Sequence, residues 1–164
     1  MATLDKDPSY GLFFNNKLVS CISFGKLRGQ DSLRNKEGYY ELVRYATLPH
    51  LIIIGGLSKM LKCFITQFNP KKIICYSDND YFSGNSYSKV GFSLVSRGRS
   101  AIDYNWVKDD IVLSRQQCMV HRLLKNYPQY SNIEIDGSKE TYIMNDLNFY
   151  RIFRCGNSKW ELNI

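Results

Sequence analysis

At 164 residues and 19.1 kDa, with 44% hydrophobic and 23% charged residues, the chain has the composition of one globular domain, which argues against a disordered or a membrane-spanning protein. No apolar run nears the roughly 20 residues of a membrane helix, and residues 1–6 hold no apolar signal core, so a cytoplasmic protein without a membrane partner is expected. A net charge of +7 favours a polyanionic partner, while five dispersed cysteines without a Cys-x-x-Cys pair, beside only two histidines, exclude a structural zinc site and fit reduced thiols.

The elements follow in chain order. Residues 11–14 and 18–25 are two β runs around the polar turn Asn15-Asn16-Lys17, a hairpin signal. Residues 26–38 are polar and basic, with Lys26, Arg28, Arg34 and Lys36, and are expected to form a loop. Residues 39–46 should be a central strand carrying Glu41 and Arg44, three apart and therefore on opposite faces. After Pro49, Ile52-Ile53-Ile54 is expected to be a strand that runs into the turn Gly55-Gly56 and opens a helix. Met60, Leu61, Phe64, Ile65 and Phe68 recur at helical spacing, with Ser58 as the expected N-cap. Residues 71–77 should be a buried strand, 83–90 a short helix and 91–96 another strand. Residues 114–125 read as a basic amphipathic helix with Arg115, His121, Arg122 and Lys125, and 141–162 as a closing hairpin around Cys155-Gly156-Asn157.

Four groups of residues could carry chemistry, and each has a plainer structural reading. The turn formed by Ile54, Gly55, Gly56, Leu57, Ser58 and Lys59 could hold a phosphate through backbone N–H groups, the helix dipole and the Lys59 ammonium, or it could simply join strand to helix. Glu41 is a candidate general base for an attacking amine, against a surface ion pair. Asp78, in Asp78-Asn79-Asp80 at the C-terminal end of a strand, is a candidate substrate contact, against a polar turn. The basic residues Lys26, Arg28, Arg34, Arg44, Arg97, Arg99, Arg115 and Arg122 could line a DNA or RNA track, although each alone is a solvated charge.

The glycine turn Ile54-Gly55-Gly56-Leu57-Ser58-Lys59 and the segment Tyr87-Ser88-Lys89-Val90-Gly91-Phe92 together resemble the two signature segments of the GNAT acyltransferase superfamily. The order of hairpin, strand, glycine turn, helix, strand, helix and strand over residues 11–107 is similar as well. The resemblance implies a single α/β domain over residues 1–164, with a mixed central sheet flanked by helices and a shortened N-terminus. It implies acetyl-CoA or another acyl donor at the glycine turn, and Tyr87 beside the thioester as the acid for the departing thiolate, against a ring simply packed under the sheet.

A narrower likeness runs through Glu41-Leu42-Val43-Arg44, Gly55-Gly56-Leu57-Ser58-Lys59-Met60-Leu61, Tyr76-Ser77-Asp78 and Tyr87-Ser88-Lys89-Val90-Gly91-Phe92 to Ser114-Arg115 and Arg154-Cys155-Gly156-Asn157. These segments are similar to Mom-type DNA modification proteins of phages, and to a GNAT-like domain found C-terminal to Vsr-like nuclease domains in phage homing endonucleases. That likeness implies a transferase which modifies a base amine in DNA and so protects the DNA from restriction, working in the host cytoplasm. The alternatives are a non-catalytic DNA-binding module and an N-acetyltransferase of proteins or small molecules.

Overall fold

The computed structural model describes residues 7–27, 36–98, 103–134 and 137–164. Arg28, Arg34 and Arg99 lie outside the described residues. Two compact units divide the chain: one holds the sequence up to Arg97 together with residues 157–164, and the other holds residues 98–156.

The first unit is built on a six-stranded mixed sheet. Its strands are β1 (Ser9–Phe14), β2 (Lys17–Gly25), β3 (Tyr39–Thr47), β4 (Lys72–Asp78), β5 (Ser93–Arg97) and β9 (Asn157–Asn163), in the spatial order β1-β2-β3-β4-β9-β5. All pairings are antiparallel except β3 with β4. The first two strands join through Asn15 and Asn16, both at positive φ (48° and 59°), a backbone that suits the twist of a tight hairpin.

Helix α1 (Gly56–Phe68) supplies the crossover between the parallel strands β3 and β4. Leu57, Met60, Leu61 and Phe64 recur along one face of it and are buried. Phe64 stacks on Phe24 of β2 at 3.7 Å between centroids and on Phe68 at 5.0 Å, so aromatic rings form the centre of this core. The helix ends at Asn69, which takes the left-handed conformation (φ 43°) just before Pro70. A second, one-turn helix, α2 (Asn85–Lys89), precedes β5.

The second unit has a three-stranded antiparallel sheet of β6 (Tyr104–Lys108), β7 (Ile111–Ser114) and β8 (Tyr150–Phe153), ordered β7-β6-β8, with helices α3 (Val120–Asn126) and α4 (Lys139–Asp146) and a 3₁₀ turn at Pro128–Tyr130. Its core gathers Trp106, Ile143, Met144, Cys118 and Leu123. Glu140 accepts hydrogen bonds from Tyr104 Oη and Trp106 Nε1, each at 2.8 Å, and the Arg151 guanidinium lies over both rings at 4.5 and 4.8 Å.

Several sequence expectations are corrected here. Ile52-Ile53-Ile54 is not a strand: β3 ends at Thr47, and Pro49 with His50 at φ 64° turns the chain away, leaving Ile52 and Ile54 exposed. Gly55, not Ser58, is the N-cap of α1, and no side chain caps that helix. Residues 114–125 are not one helix, because Ser114 closes β7 and α3 begins only at Val120. Residues 141–162 are not a hairpin, since β8 pairs with β6 of the second unit whereas β9 enters the first sheet between β4 and β5. Residues 104–114 form the β6–β7 hairpin around Asp109, which holds φ 51°.

Candidate functional site

Strands β3 and β4 pair in parallel only over four residues, Tyr39–Leu42 against Lys72–Cys75. Beyond that point β3 continues against β2 alone and β4 against β9 alone, so the two strands diverge toward their C-terminal ends. A wedge results, whose walls are the backbone edges of residues 43–47 and 76–78. An extended chain bearing amides can enter such a wedge and hydrogen-bond as an added strand would.

The divergence has a local cause. On β2 the neighbours Ser23 and Phe24 face Arg44 and Leu42, which leaves Val43 as an extra residue, a β-bulge that bends β3. The bulge also resets the side-chain alternation. Leu42 and Tyr45 both reach the core on the α1 side, while Glu41 and Arg44 fall together on the other face. This corrects the expectation that Glu41 and Arg44 oppose each other, since the spacing rule holds only for an unbulged strand.

Past β3 the chain reaches the glycine turn. Gly55 sits at φ 73°, and Lys59 N donates to Gly55 O at 2.9 Å to close the first turn of α1. The first N–H groups of a helix have no partner within the helix, so the 13-residue α1 presents donors and a positive dipole end here. The two glycines differ in their reasons. A Cβ on Gly56 would lie 2.9 Å from Ile53 Cγ2 and 3.3 Å from the Tyr45 hydroxyl, so Gly56 permits close packing. A Cβ on Gly55 would meet nothing within 4 Å, so the space beside this turn is open.

Ile54, Ser58 and Lys59 are exposed at this turn, whereas the Leu57 side chain is buried in the core. A groove of about 550 Å³ runs beside it, lined by Phe13, Phe14, Ile52, Ile54, Gly55 and Lys59 among others. The rings of Phe13 and Phe14 and the side chains of Ile52 and Ile54 are largely exposed.

On the other side of the wedge, β4 leads to Asp78, whose Oδ1 accepts from Asp80 N at 3.0 Å in a short turn. Tyr87 stands on α2 with its ring against Phe92 (5.8 Å) and Trp160 (6.2 Å). Trp160 in turn donates from Nε1 to Ser77 Oγ at 2.9 Å, and Gly84 fits so closely under its indole that a Cβ there would lie 2.1 Å from a ring carbon. Burial pushes the Tyr87 phenol up to about 12, and the Cys75 sulfur adds to the shift. Cys75 is itself fully buried, and its thiol is held far above its usual range, first by burial and then by the Glu41 charge.

Glu41, Cys75 and Tyr87 are therefore close enough to influence one another in series, yet they do not share a face. Leu42 pairs with Cys75 on the α1 side, together with Tyr87 and Trp160, whereas Glu41 pairs with Ile74 on the reverse side. Alternation along β4 places Asp78 on that reverse side too. Glu41 is only 9% exposed. Lys26, Arg44, Arg97, Arg115 and Arg122 are all exposed, with the Arg115 guanidinium over the Tyr104 ring at 5.5 Å.

Sequence reasoning missed the wedge, the bulge, and the Ser77–Trp160–Gly84 support for Tyr87. The first two arise from strand pairing, which no local pattern encodes. Among the described residues no group of three or more His, Cys, Asp or Glu side chains could hold a metal ion, and no helix is long and apolar enough to cross a membrane.

No family model matches the chain, and no curated protein matches it. Solved structures do. An acetyltransferase of Bacillus subtilis in complex with CoA aligns over 98% of this chain and 79% of its own, with 14% identity and a TM-score of 0.52. An IAA acetyltransferase from Bacillus cereus aligns over 95% and 77% (14% identity, TM-score 0.47), and a GNAT family acetyltransferase from Elizabethkingia anophelis with acetyl-CoA bound over 95% and 75% (15% identity, TM-score 0.47). A mixed sheet whose two parallel strands splay beside a glycine turn, aligned over 98% of this chain with the Bacillus subtilis acetyltransferase, gives this chain the α/β fold of that enzyme.

Proposed function

We propose that this chain is an acyl-CoA-dependent N-acyltransferase whose acceptor is an amine on a base in DNA. The observation that carries the reading is the wedge between β3 and β4, which ends at the open Gly55 turn and the N-terminus of α1. The wedge suits the amide-bearing arm of CoA, the turn its pyrophosphate, and the groove with Phe13, Phe14 and Lys59 its nucleoside end. When bound, the donor supplies a thioester carbonyl for attack by the acceptor amine, so that a C–N bond forms as the C–S bond breaks.

The chain's own groups have limited but definite parts to play. Tyr87, with its phenol raised to about 12, keeps its proton through the neutral range. It can therefore donate a hydrogen bond to a departing thiolate but cannot serve as a base. Glu41, on the reverse face, is a buried carboxylate within the paired end of the wedge and is the candidate acceptor for the amine proton, through a water where direct reach fails. His50 and Leu51 stand where the superfamily usually carries a basic residue before the turn, so Lys59 is left as the ammonium for the pyrophosphate. The net charge of +7 and the exposed Lys26, Arg44, Arg97 and Arg122 favour a nucleic-acid acceptor over a small amine.

The test is intact-mass analysis of nucleosides from plasmid DNA recovered from cells that express the protein, beside cells expressing Tyr87→Phe. An adduct that appears with the wild type and falls at least tenfold in the control is expected, and its mass identifies the acyl group. Unmodified nucleosides from a folded, DNA-bound protein would reject this reading. A second reading, a DNA-binding module without chemistry, is favoured by one observation: Glu41 and Tyr87 lie on opposite faces of the sheet, and Tyr87 is packed between Phe92 and Trp160.

A further inference from the structure

The second unit contains a pocket of about 520 Å³ that none of the chemistry above uses. We propose that this pocket holds one unstacked nucleotide of a single-stranded nucleic acid, with its base against Tyr127 and Phe149 and its phosphate on Arg122 and Lys125. The proposal does not depend on acyl transfer and stands equally for an enzyme or a binding module.

Three features of the lining point to that ligand. Its floor is apolar, from Leu123 and Met144, and its charges are cationic only, since among the described residues no Asp or Glu lines it. Such a surplus of positive charge suits a phosphate, and an apolar floor with flat rings suits a ligand with a π-face. A volume in the range of small-ligand pockets admits one nucleotide and excludes a duplex, whose bases stay stacked and out of reach.

The rings are held in place before any ligand arrives. Tyr127 meets Tyr130 edge-on at 6.5 Å, and the Tyr130 hydroxyl donates to Asp146. Phe149 is backed by the Lys108 ammonium at 5.8 Å from its centroid, while the same ammonium donates to Leu147 O at 3.0 Å. Gln117 also lines the pocket, and its Oε1 accepts from Ser114 N (2.8 Å) and Ser114 Oγ (2.9 Å). Its amide is thereby oriented, with the nitrogen as the group it offers to a base acceptor.

The experiment uses the full chain and fluorescence anisotropy with a labelled oligothymidylate of about a dozen nucleotides, beside a hairpin duplex of the same charge. Tyr127→Leu should weaken strand binding by about 5- to 100-fold while leaving duplex binding unchanged. The pair Arg122→Gln with Lys125→Gln should weaken both and flatten the salt dependence. Strand binding by a folded Tyr127→Leu equal to wild type, or an equal loss for strand and duplex, would overturn the proposal. Should Tyr127→Leu fail to fold, photocrosslinking of a 5-iodouracil strand to the wild type decides the matter. Crosslinks at Tyr127 or Phe149 support the pocket, and crosslinks confined to other residues reject it.

Discussion

Gly55 and Gly84 share a left-handed backbone, with φ of 73° and 76°, yet their surroundings separate them. Beside Gly55 a methyl group finds open space, so Gly55→Ala should lose only the conformational term of about 1–2 kcal/mol. Beside Gly84 the same methyl would sit 2.1 Å from the Trp160 indole, and Gly84→Ala should destabilise by more than about 3 kcal/mol as the ring is forced out. Urea unfolding of both variants checks this, and equal losses would contradict the packing around Trp160. The sequence marked Gly55 through its place before an amphipathic helix, but held no hint of Gly84, because its constraint comes from an indole far along the chain. Tyr87 was singled out by a motif. Its setting between Phe92 and Trp160, which raises its phenol to about 12, is a product of packing.

At the scale of strands and helices, the pairing of β4 with β9 carries the clearest electrostatic signature. Lys72 Nζ lies 2.6 Å and Lys159 Nζ 3.3 Å from the Glu161 carboxylate, whose pKa is lowered chiefly by the Lys72 hydrogen bond against an opposing effect of burial. A carboxylate whose folded pKa lies below its unfolded value stabilises the fold above that unfolded value, and the contribution disappears as pH falls through the folded pKa. Glu161→Gln should therefore lower stability at pH 7 by about 1.5–3 kcal/mol, the worth of charged hydrogen bonds, and flatten the decline below about pH 4. Thermal unfolding followed from about pH 7 down to about pH 2.5 measures both effects, and a variant with an unchanged acid profile would contradict the assignment. Helix α1 and the strands around it were legible because amphipathic spacing and Pro70 mark them locally. The bulge at Val43 was not, since it is defined only by what β2 places opposite. The last third of the sequence misled for a similar reason: two strands separated by Arg154, Cys155 and Gly156 look like a hairpin, yet they pair in different sheets.

Across the whole molecule, contacts remote in sequence complete the first unit, since β9 pairs with both β4 and β5. Lys72 and Glu161, joined by an ion pair, are 89 residues apart, and residues 98–156 form another unit between them. Removal of residues 157–164 should strip β4 and β5 of their shared neighbour and take away the Trp160 indole that packs over Gly84. Hydrogen exchange is the measurement: amides of β4 that are protected in the full chain should exchange at near-unfolded rates in the shortened one, and retained protection would show that the sheet closes without β9. Loop-closure entropy must be met before that pairing can form, which slows folding. The placement of β9 also has a consequence for biosynthesis. While the ribosome is still making residues 98–156, β4 and β5 have both been made but lack the strand that belongs between them. The nascent first unit thus waits with two open strand edges, a condition in which chaperone capture or pairing with a neighbouring chain competes with its own completion.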